Sequence, residues 1–183
     1  MKLRALFLLA AIPLGTNLLS AQTTSSPKEI VTQFLALDAS GARLRSSPND
    51  PIWQLTADDG EPPVQPIVLI KNCRVANVTS LAQSAKVQVS CTETGTVKDN
   101  GATVSYLRNR RLTSTSFTVL NADGSWKISQ QNLKFPPHVE PAAYLNHLDT
   151  LIKLYDAEKD KADPRYKSLL RLKETLQAAS PTK

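Results

Sequence analysis

The amino-acid sequence predicts an α+β fold, in which an N-terminal amphipathic helix packs on a four-stranded antiparallel sheet and a helical extension follows at the C-terminus. An apolar stripe with the helical period runs through residues 27–44, and alternating β-branched runs fill residues 67–128. Two further helical patterns begin at Pro141 and Pro164. The 183 residues suit one domain with length enough for a substantial core.

Residues 1–21 have the layout of a secretory signal. Two basic residues precede an apolar run from Ala5 to Leu14, and the small residue Ala21 lies at the expected cleavage position. A membrane anchor is the alternative, but Pro13 interrupts the apolar run well short of the roughly 20 residues that a bilayer span needs. Cleavage would lower the net charge from +6 to +4, because the segment carries two basic residues and no acidic ones. We therefore expect an exported protein, periplasmic or secreted, without stable membrane insertion.

The first helix begins with a strong capping signal. Ser26 is placed to cap the helix, Pro27 occupies the first helical position, and Glu29 completes a capping box. The residues predicted to share the stripe that faces the sheet are Ile30, Val31, Phe34, Leu37, Gly41 and Leu44. At Gly41 the missing side chain would allow a close approach to the sheet. We interpret 27–44 as one continuous helix.

The sequence between the first helix and the sheet is rich in proline and other helix breakers. Within this loop at 46–66, Asp50 before a proline predicts the cap of a short helix that carries Trp53. The runs IVLIKNCRVANV at 67–78 and AKVQVSCTE at 85–93 then alternate between apolar and polar residues. They predict two antiparallel strands joined by a short loop.

Two cysteines test the register of these strands. Pairing Thr79 with Ala85 places Cys73 directly opposite Cys91. Cross-strand β-carbons lie about 4.5–5.5 Å apart, and a disulfide needs about 3.5–4.5 Å, so a closer, non-hydrogen-bonded pair is required. The alternative is two reduced cysteines packed as small apolar residues. An even pair in an exported chain favours the disulfide.

The second half of the predicted sheet contains two turn signals. Asn100-Gly101 and the Asp-Gly pair within FTVLNADGSWKI at 117–128 are typical of hairpins. In the second hairpin, we expect Phe117 to face Ile128 and Val119 to face Trp126. This pairing directs all four side chains to one face of the sheet. That face is the expected contact of the first helix.

The C-terminal part is predicted to be helical. The segment 135–137 (FPP) ends the predicted sheet, Pro141 begins one helix, and Asp163 caps another. We place the main domain at 22–152 and the helical extension and tail at 153–183.

Three segments together resemble a known superfamily. They are SPKEIVTQFLALDASGARL at 26–44, FTVLNADGSWKISQ at 117–130 and FPPHVEPAAYLNHLDTLI at 135–152. In this order they resemble an exported bacterial branch of the nuclear transport factor 2-like superfamily, also called the cystatin-like or ketosteroid-isomerase-like cone. The resemblance covers roughly residues 27–152 and implies a curved sheet with a pocket between helix and sheet. The side chains then expected to line the pocket are Phe34, Trp53, Phe117 and Trp126.

The resemblance does not name a ligand, because this superfamily contains isomerases, dehydratases and many non-catalytic binding domains. Its enzymes use buried acids and tyrosines, which makes Asp38 a candidate general base and Tyr106 a candidate hydrogen-bond donor. No family motif aligns with either residue. Neither His138 nor His147 has a third ligand nearby, so we expect no metal and no cofactor. His138 is expected to be exposed in a proline-rich loop.

A small basic cluster lies in the predicted third strand. Arg108, Arg110 and Arg111 follow Tyr106 closely, and we interpret them as a solvated strand in contact with Glu93 on its neighbour. A nucleic-acid interface would need a wider basic face with stacking aromatic residues, so nucleic acid is not an expected partner.

Three functions are compatible with these features. The first is a non-catalytic exported domain that binds a small apolar ligand or a protein partner. The second is an isomerase or lyase with Asp38 as the base. The third is a structural module that forms a homodimer through the open face of the sheet or through the C-terminal helices.

Overall fold

A computed structural model describes residues 25–45, 49–57, 66–129, 135–158 and 160–179. The predicted signal at 1–21 and the last four residues lie outside these ranges. The helices are α1 (Pro27–Ala39), a 3₁₀ turn (Ala42–Leu44), α2 (Pro51–Gln54), α3 (Pro141–Glu158) and α4 (Pro164–Ala179). The strands are β1 (Ile67–Ser80), β2 (Ser84–Asp99), β3 (Val104–Ala122), β4 (Ser125–Ile128) and β5 (His138–Val139).

The α+β class is confirmed, and the sheet has one strand more than predicted. It is a curled five-stranded sheet in the order β4-β3-β2-β1-β5. The first four strands form the predicted antiparallel meander, whereas β5 pairs with β1 in parallel and makes the sheet mixed. The Pro-Pro segment therefore does not end the sheet. It leads into a two-residue strand that is too short to show any alternation, and Val68 N donates to Pro137 O at 2.8 Å.

The capping box of α1 is present, but the helix ends earlier than predicted. Ser26 Oγ accepts a hydrogen bond from Glu29 N, and Ser26 N donates a hydrogen bond to Glu29 Oε2. The helix stops at Ala39 because Gly41 has a φ of +82°, in the left-handed region that glycine adopts without strain. A Cβ at Gly41 would meet only ordinary contacts, so backbone conformation rather than close approach requires this glycine.

The disulfide prediction is confirmed. Cys73 and Cys91 pair directly across β1 and β2 and are bonded to each other. The register is one residue off at the loop end, where Thr79 pairs with Lys86 rather than Ala85. An irregularity between Val75 and Asn77 accounts for the slip, because it inserts one residue into β1.

The β3–β4 hairpin has the predicted face but a different register. Val119 pairs with Ile128 and Asn121 with Trp126, two residues from the predicted pairing. The turn residues are Asp123 and Gly124, both with positive φ (52° and 80°), as a type I′ turn requires. The turn lies at the predicted Asp-Gly pair, and only the pairing of the strands differs from the prediction. An even slip leaves the inward face unchanged.

Two separate cores pack on opposite faces of the sheet. The first core joins α1 and α2 to the sheet, and the second joins α3 and α4 to it. On β1, Val68 and Ile70 belong to the first core, whereas Ile67 and Leu69 belong to the second.

The strand β2 contributes to both cores because of an irregularity at Thr94. Every odd position from Ala85 to Val97 is buried. Nevertheless, Cys91 belongs to the first core and Val97 to the second. Thr94 is an extra residue in β2 relative to β1, which indicates a β-bulge in β2. On the other side of the strand, two residues of β3, Asn109 and Arg110, lie opposite Thr94. The bulge turns the later odd-numbered side chains to the other face.

The helices α3 and α4 are antiparallel and pack over the second core. The predicted boundary at residue 152 falls inside α3, which continues to Glu158. The predicted cap of α4 is present, since Asp163 Oδ1 accepts from Arg165 N at 2.6 Å. Arg165 also binds Asp99 at the end of β2 through an ion pair of 2.5 Å. Among the described helices, none is long and apolar enough to cross a membrane.

Candidate functional site

A groove of about 480 Å³ lies between the sheet, the first residues of α3 and the last turns of α4. Apolar contact is provided by Leu69 on β1, by the ring of Tyr106 on β3 and by Leu176 on α4. Pro141 and Ala142 line the groove from the start of α3. We call this cavity the groove throughout.

Three cationic side chains line the same groove. Lys71, Arg108 and Arg110 are all exposed, and none of them forms an ion pair with another residue in the part of the chain that the structure describes. Glu140 is the single carboxylate among the described lining residues, so three positive charges against one negative leave a net charge of +2. The groove therefore combines unpaired positive charge with apolar surface.

The shape of the groove depends on the contact between Tyr106 and Gly95. The tyrosine ring lies across the backbone of β2, and a Cβ at Gly95 would overlap the ring. The Tyr106 hydroxyl donates to Thr94 O at 3.2 Å, and Thr94 Oγ1 donates to Leu69 O at 3.1 Å. These contacts thus hold the Tyr106 ring in position against the bulge in β2.

The sequence contained a signal for this site that the prediction did not use. Residues two apart on a strand share a face, so Tyr106, Arg108 and Arg110 lie on one face and Arg111 on the other. The predicted contact of the cluster with Glu93 is confirmed for Arg111 alone, whose Nε donates to Glu93 Oε2 at 2.6 Å. Lys71 and the helix ends come from distant parts of the chain, and no local pattern points to them.

The predicted acid–base pair is not brought together. Asp38 is 1% exposed on α1, in contact with the first core, whereas Tyr106 contacts the second core on the opposite face of the sheet. The Asp38 oxygens accept from Arg43 Nε at 2.7 Å, from Arg43 Nη2 at 2.6 Å and from His138 N at 2.9 Å.

Asp38 and Arg43 instead attach the segment before β5 to α1. Arg43 is 2% exposed, and it donates to Phe135 O at 2.8 Å and to Pro136 O at 2.9 Å. Its guanidinium also lies 5.4 Å from the centre of the Phe34 ring. A general base needs an oxygen within reach of a substrate proton, and these contacts already occupy the Asp38 carboxylate.

The four side chains predicted to line a pocket pack in the first core instead. Phe34 and Phe117 are buried and meet edge to face at 5.7 Å, while Trp53 and Trp126 are partly buried against the same core. None of the four lines the groove. Aromatic side chains thus fill the space between α1 and the sheet where the pocket was expected.

A smaller cavity of about 170 Å³ persists on the α1 face beside His138, Glu93 and Arg111. His138 is half-buried rather than exposed as predicted, and burial lowers the pKa of its imidazole despite the nearby Asp38 carboxylate. Its Nδ1 lies 2.8 Å from Pro136 O, a contact that assigns the proton of the neutral ring to Nδ1. Because Glu93 is paired with Arg111, this cavity offers no free carboxylate among its described residues.

His147 lies half-buried on α3, with its ring centre 6.0 Å from that of Tyr144. Burial lowers the pKa of His147 as well. Across the ranges that the structure describes, no group of three or more His, Cys, Asp or Glu side chains is placed to hold a metal ion.

Comparison of the chain with protein-family models, with curated proteins and with solved structures finds no match.

Proposed function

We propose that this chain is a non-catalytic binding domain of an exported protein, and that its groove binds a small amphipathic anion. Such a ligand has an anionic headgroup and an apolar body. The observation that carries the proposal is the convergence of Lys71, Arg108 and Arg110 on a groove with apolar surface, where no described carboxylate pairs with them.

The size and chemistry of the groove support this ligand class. Its volume of about 480 Å³ falls within the range typical of small-molecule sites. The planar guanidinium groups of Arg108 and Arg110 match the geometry of a carboxylate or phosphate, and Lys71 adds a point charge. Leu69, Tyr106 and the end of α4 would cover the apolar body.

The proposal includes membership of the nuclear transport factor 2-like superfamily and export from the cell. The first is supported by the capped helix α1 beside a curled sheet and by the Asp-Gly hairpin before Trp126. Export is supported by the Cys73–Cys91 disulfide, since disulfides persist in oxidising compartments.

An isomerase or lyase has less support from the geometry. Asp38 is occupied by Arg43, and Tyr106 lies on the other face of the sheet. A homodimer through the sheet has no specific contact in its favour among the described residues.

The test is isothermal titration calorimetry with dodecanoate as the probe and dodecyltrimethylammonium as its cationic counterpart. We expect dodecanoate to bind and the cation not to bind. Replacing both arginines (Arg108→Gln with Arg110→Gln) should weaken dodecanoate binding roughly tenfold or more, because it removes the charge-assisted hydrogen bonds. Raising the salt concentration should weaken binding in the same direction.

The matched control is Arg171→Gln, which removes one exposed positive charge from α4 without touching the groove. It should bind dodecanoate like the unmodified protein. Equal binding of both probes, or equal loss in the control and in the double variant, would show that the groove is not an anion site.

A further inference from the structure

The outer edge of β3 is paired along only a small part of its length. The strand has 19 residues, and β4 pairs with only its last four, from Val119 to Ala122. Within the described ranges, no other strand pairs with β3 on that side. An unpaired strand edge presents backbone donors and acceptors to whatever lies beside it.

The hydrogen bonds at the two ends of β3 show which residues direct their backbone outward. Ser129 N donates to Thr118 O on the β4 side, and Val104 N donates outward to Ser168 Oγ at 3.0 Å. In an antiparallel strand, the N–H and C=O of one residue point the same way, and the direction alternates along the chain. Even-numbered residues of β3 therefore point outward. Within the arginine-rich part of the strand, the residues with an outward-pointing backbone are Tyr106, Arg108, Arg110 and Leu112.

The side chains along this edge define the chemistry of a partner. The segment 106–112 (YLRNRRL) has no acidic residue and three arginines. Arg111 is already paired with Glu93, whereas Arg108 and Arg110 form no ion pair among the described residues. Side chains on a neighbouring strand lie about 4.5–5.5 Å away across the pair, so carboxylates there would meet the arginines directly. Leu107 and Leu112, which are 65% and 75% exposed, flank the charges and would contact apolar side chains of the added strand.

A second copy of this chain is a poor partner for the same edge. Antiparallel pairing of 106–112 with itself places arginine opposite or beside arginine. Like charges at opposite positions destabilise a strand pair, and a charged edge of this kind protects a sheet against self-association. The charge therefore opposes a homodimer and favours an acidic strand.

We infer that the outer edge of β3 at 106–112 is a docking site for an extended acidic segment of another protein, which adds to the sheet as a sixth strand. The main-chain bonds provide binding, and the arginines select for acidic side chains. The edge shares Arg108 and Arg110 with the groove, but its main-chain hydrogen bonds come from the backbone of β3, which the proposed anion site does not use.

The first experiment measures amide exchange with a capped peptide of alternating valine and glutamate as the probe. In the free protein, the amides of Tyr106, Arg108, Arg110 and Leu112 should exchange rapidly, while those of Leu107 and Arg111, which pair with β2, are slow. The peptide should slow the four outward amides at least about tenfold, as expected for newly formed main-chain hydrogen bonds. A peptide of alternating valine and lysine should have no such effect.

The second experiment uses a pair of variants at one position. Leu112→Pro removes an outward N–H, which an edge strand tolerates, and should weaken peptide binding roughly tenfold. Leu112→Ala keeps that N–H and should bind within about threefold of the unmodified protein. Lys71→Gln, which changes the groove alone, should leave peptide binding unchanged and so separates this site from the groove.

Several results would overturn the inference. Slow exchange of the four outward amides in the free monomer would mean that the chain covers its own edge. A dimer in light scattering that Leu112→Pro abolishes would assign the edge to a second copy. Equal binding of the glutamate and lysine peptides would remove the role of the arginines.

Discussion

Removal of the Asp38 carboxylate is predicted to be among the most destabilising changes in the protein. Asp38 and Arg43 are 1% and 2% exposed, and Arg43 makes two bonds to the carboxylate and two to backbone carbonyls. Asp38→Asn keeps the size of the side chain but leaves the buried guanidinium with neutral acceptors only. Breaking a buried ion pair in this way costs about 3–5 kcal/mol. Typical domains have a total stability of about 5–15 kcal/mol, so the loss is a large share of it.

Urea unfolding followed by tryptophan fluorescence measures this loss, because Trp53 and Trp126 both pack against the first core. The urea midpoint should fall while the slope stays unchanged. The exposed pair of Lys161 and Asp156 provides the control, and Lys161→Ala should cost less than about 1 kcal/mol. Adding Arg43→Met to Asp38→Asn should cost less than the sum of the single changes by about 0.5–3 kcal/mol. A loss in Asp38→Asn no larger than in the control, or strict additivity, would refute the reasoning.

Three further predictions concern the sheet and its attachment. Gly95→Ala should lower the free energy of unfolding by about 1–3 kcal/mol through overlap with the Tyr106 ring, and the penalty should vanish in a Tyr106→Ala background. Replacing both Cys73 and Cys91 by alanine should cost about 3 kcal/mol in the chain-entropy model, and a reducing agent should then no longer shift the urea midpoint. Burial lowers the pKa of His138 in the folded state, so below pH 6.5 the unfolded state takes up the proton first and stability falls as the pH falls. Midpoints measured across this pH range should show a shallower slope in His138→Gln, and an unchanged slope would contradict the assignment.

Much of the fold follows from local sequence patterns. The capping box at Ser26 and Glu29 predicts where α1 begins, and the alternation around Cys73 and Cys91 predicts the pairing of β1 with β2. Both depend on residues close in sequence or directly opposite each other. The predictions fail where a single residue interrupts a regular pattern. Gly41 ends α1 early, and the extra residue after Val75 shifts the pairing at the loop end of β1 and β2.

Local sequence patterns could not predict the groove, because its residues come from distant parts of the chain. Its cations come from β1 and β3, and its helical side comes from the start of α3 and the end of α4. Only Tyr106, Arg108 and Arg110 share a pattern, since they alternate along one strand. Asp38 was misleading because its partner, Arg43, lies beyond the end of α1, where a continuous helix would have placed it elsewhere.

The bulge at Thr94 limits how the length of β2 can change. The residues before it are buried against α1 and those after it against α3 and α4. Deleting Thr94 would make the pairing of β2 with β1 regular, and Val97 would then turn away from the second core. Inserting one residue elsewhere in β2 would misdirect every side chain beyond the insertion in the same manner. We therefore expect changes in chain length to be tolerated in the loops at 81–83 and 100–103, whereas within the strand a single gained or lost residue should need a second to compensate it.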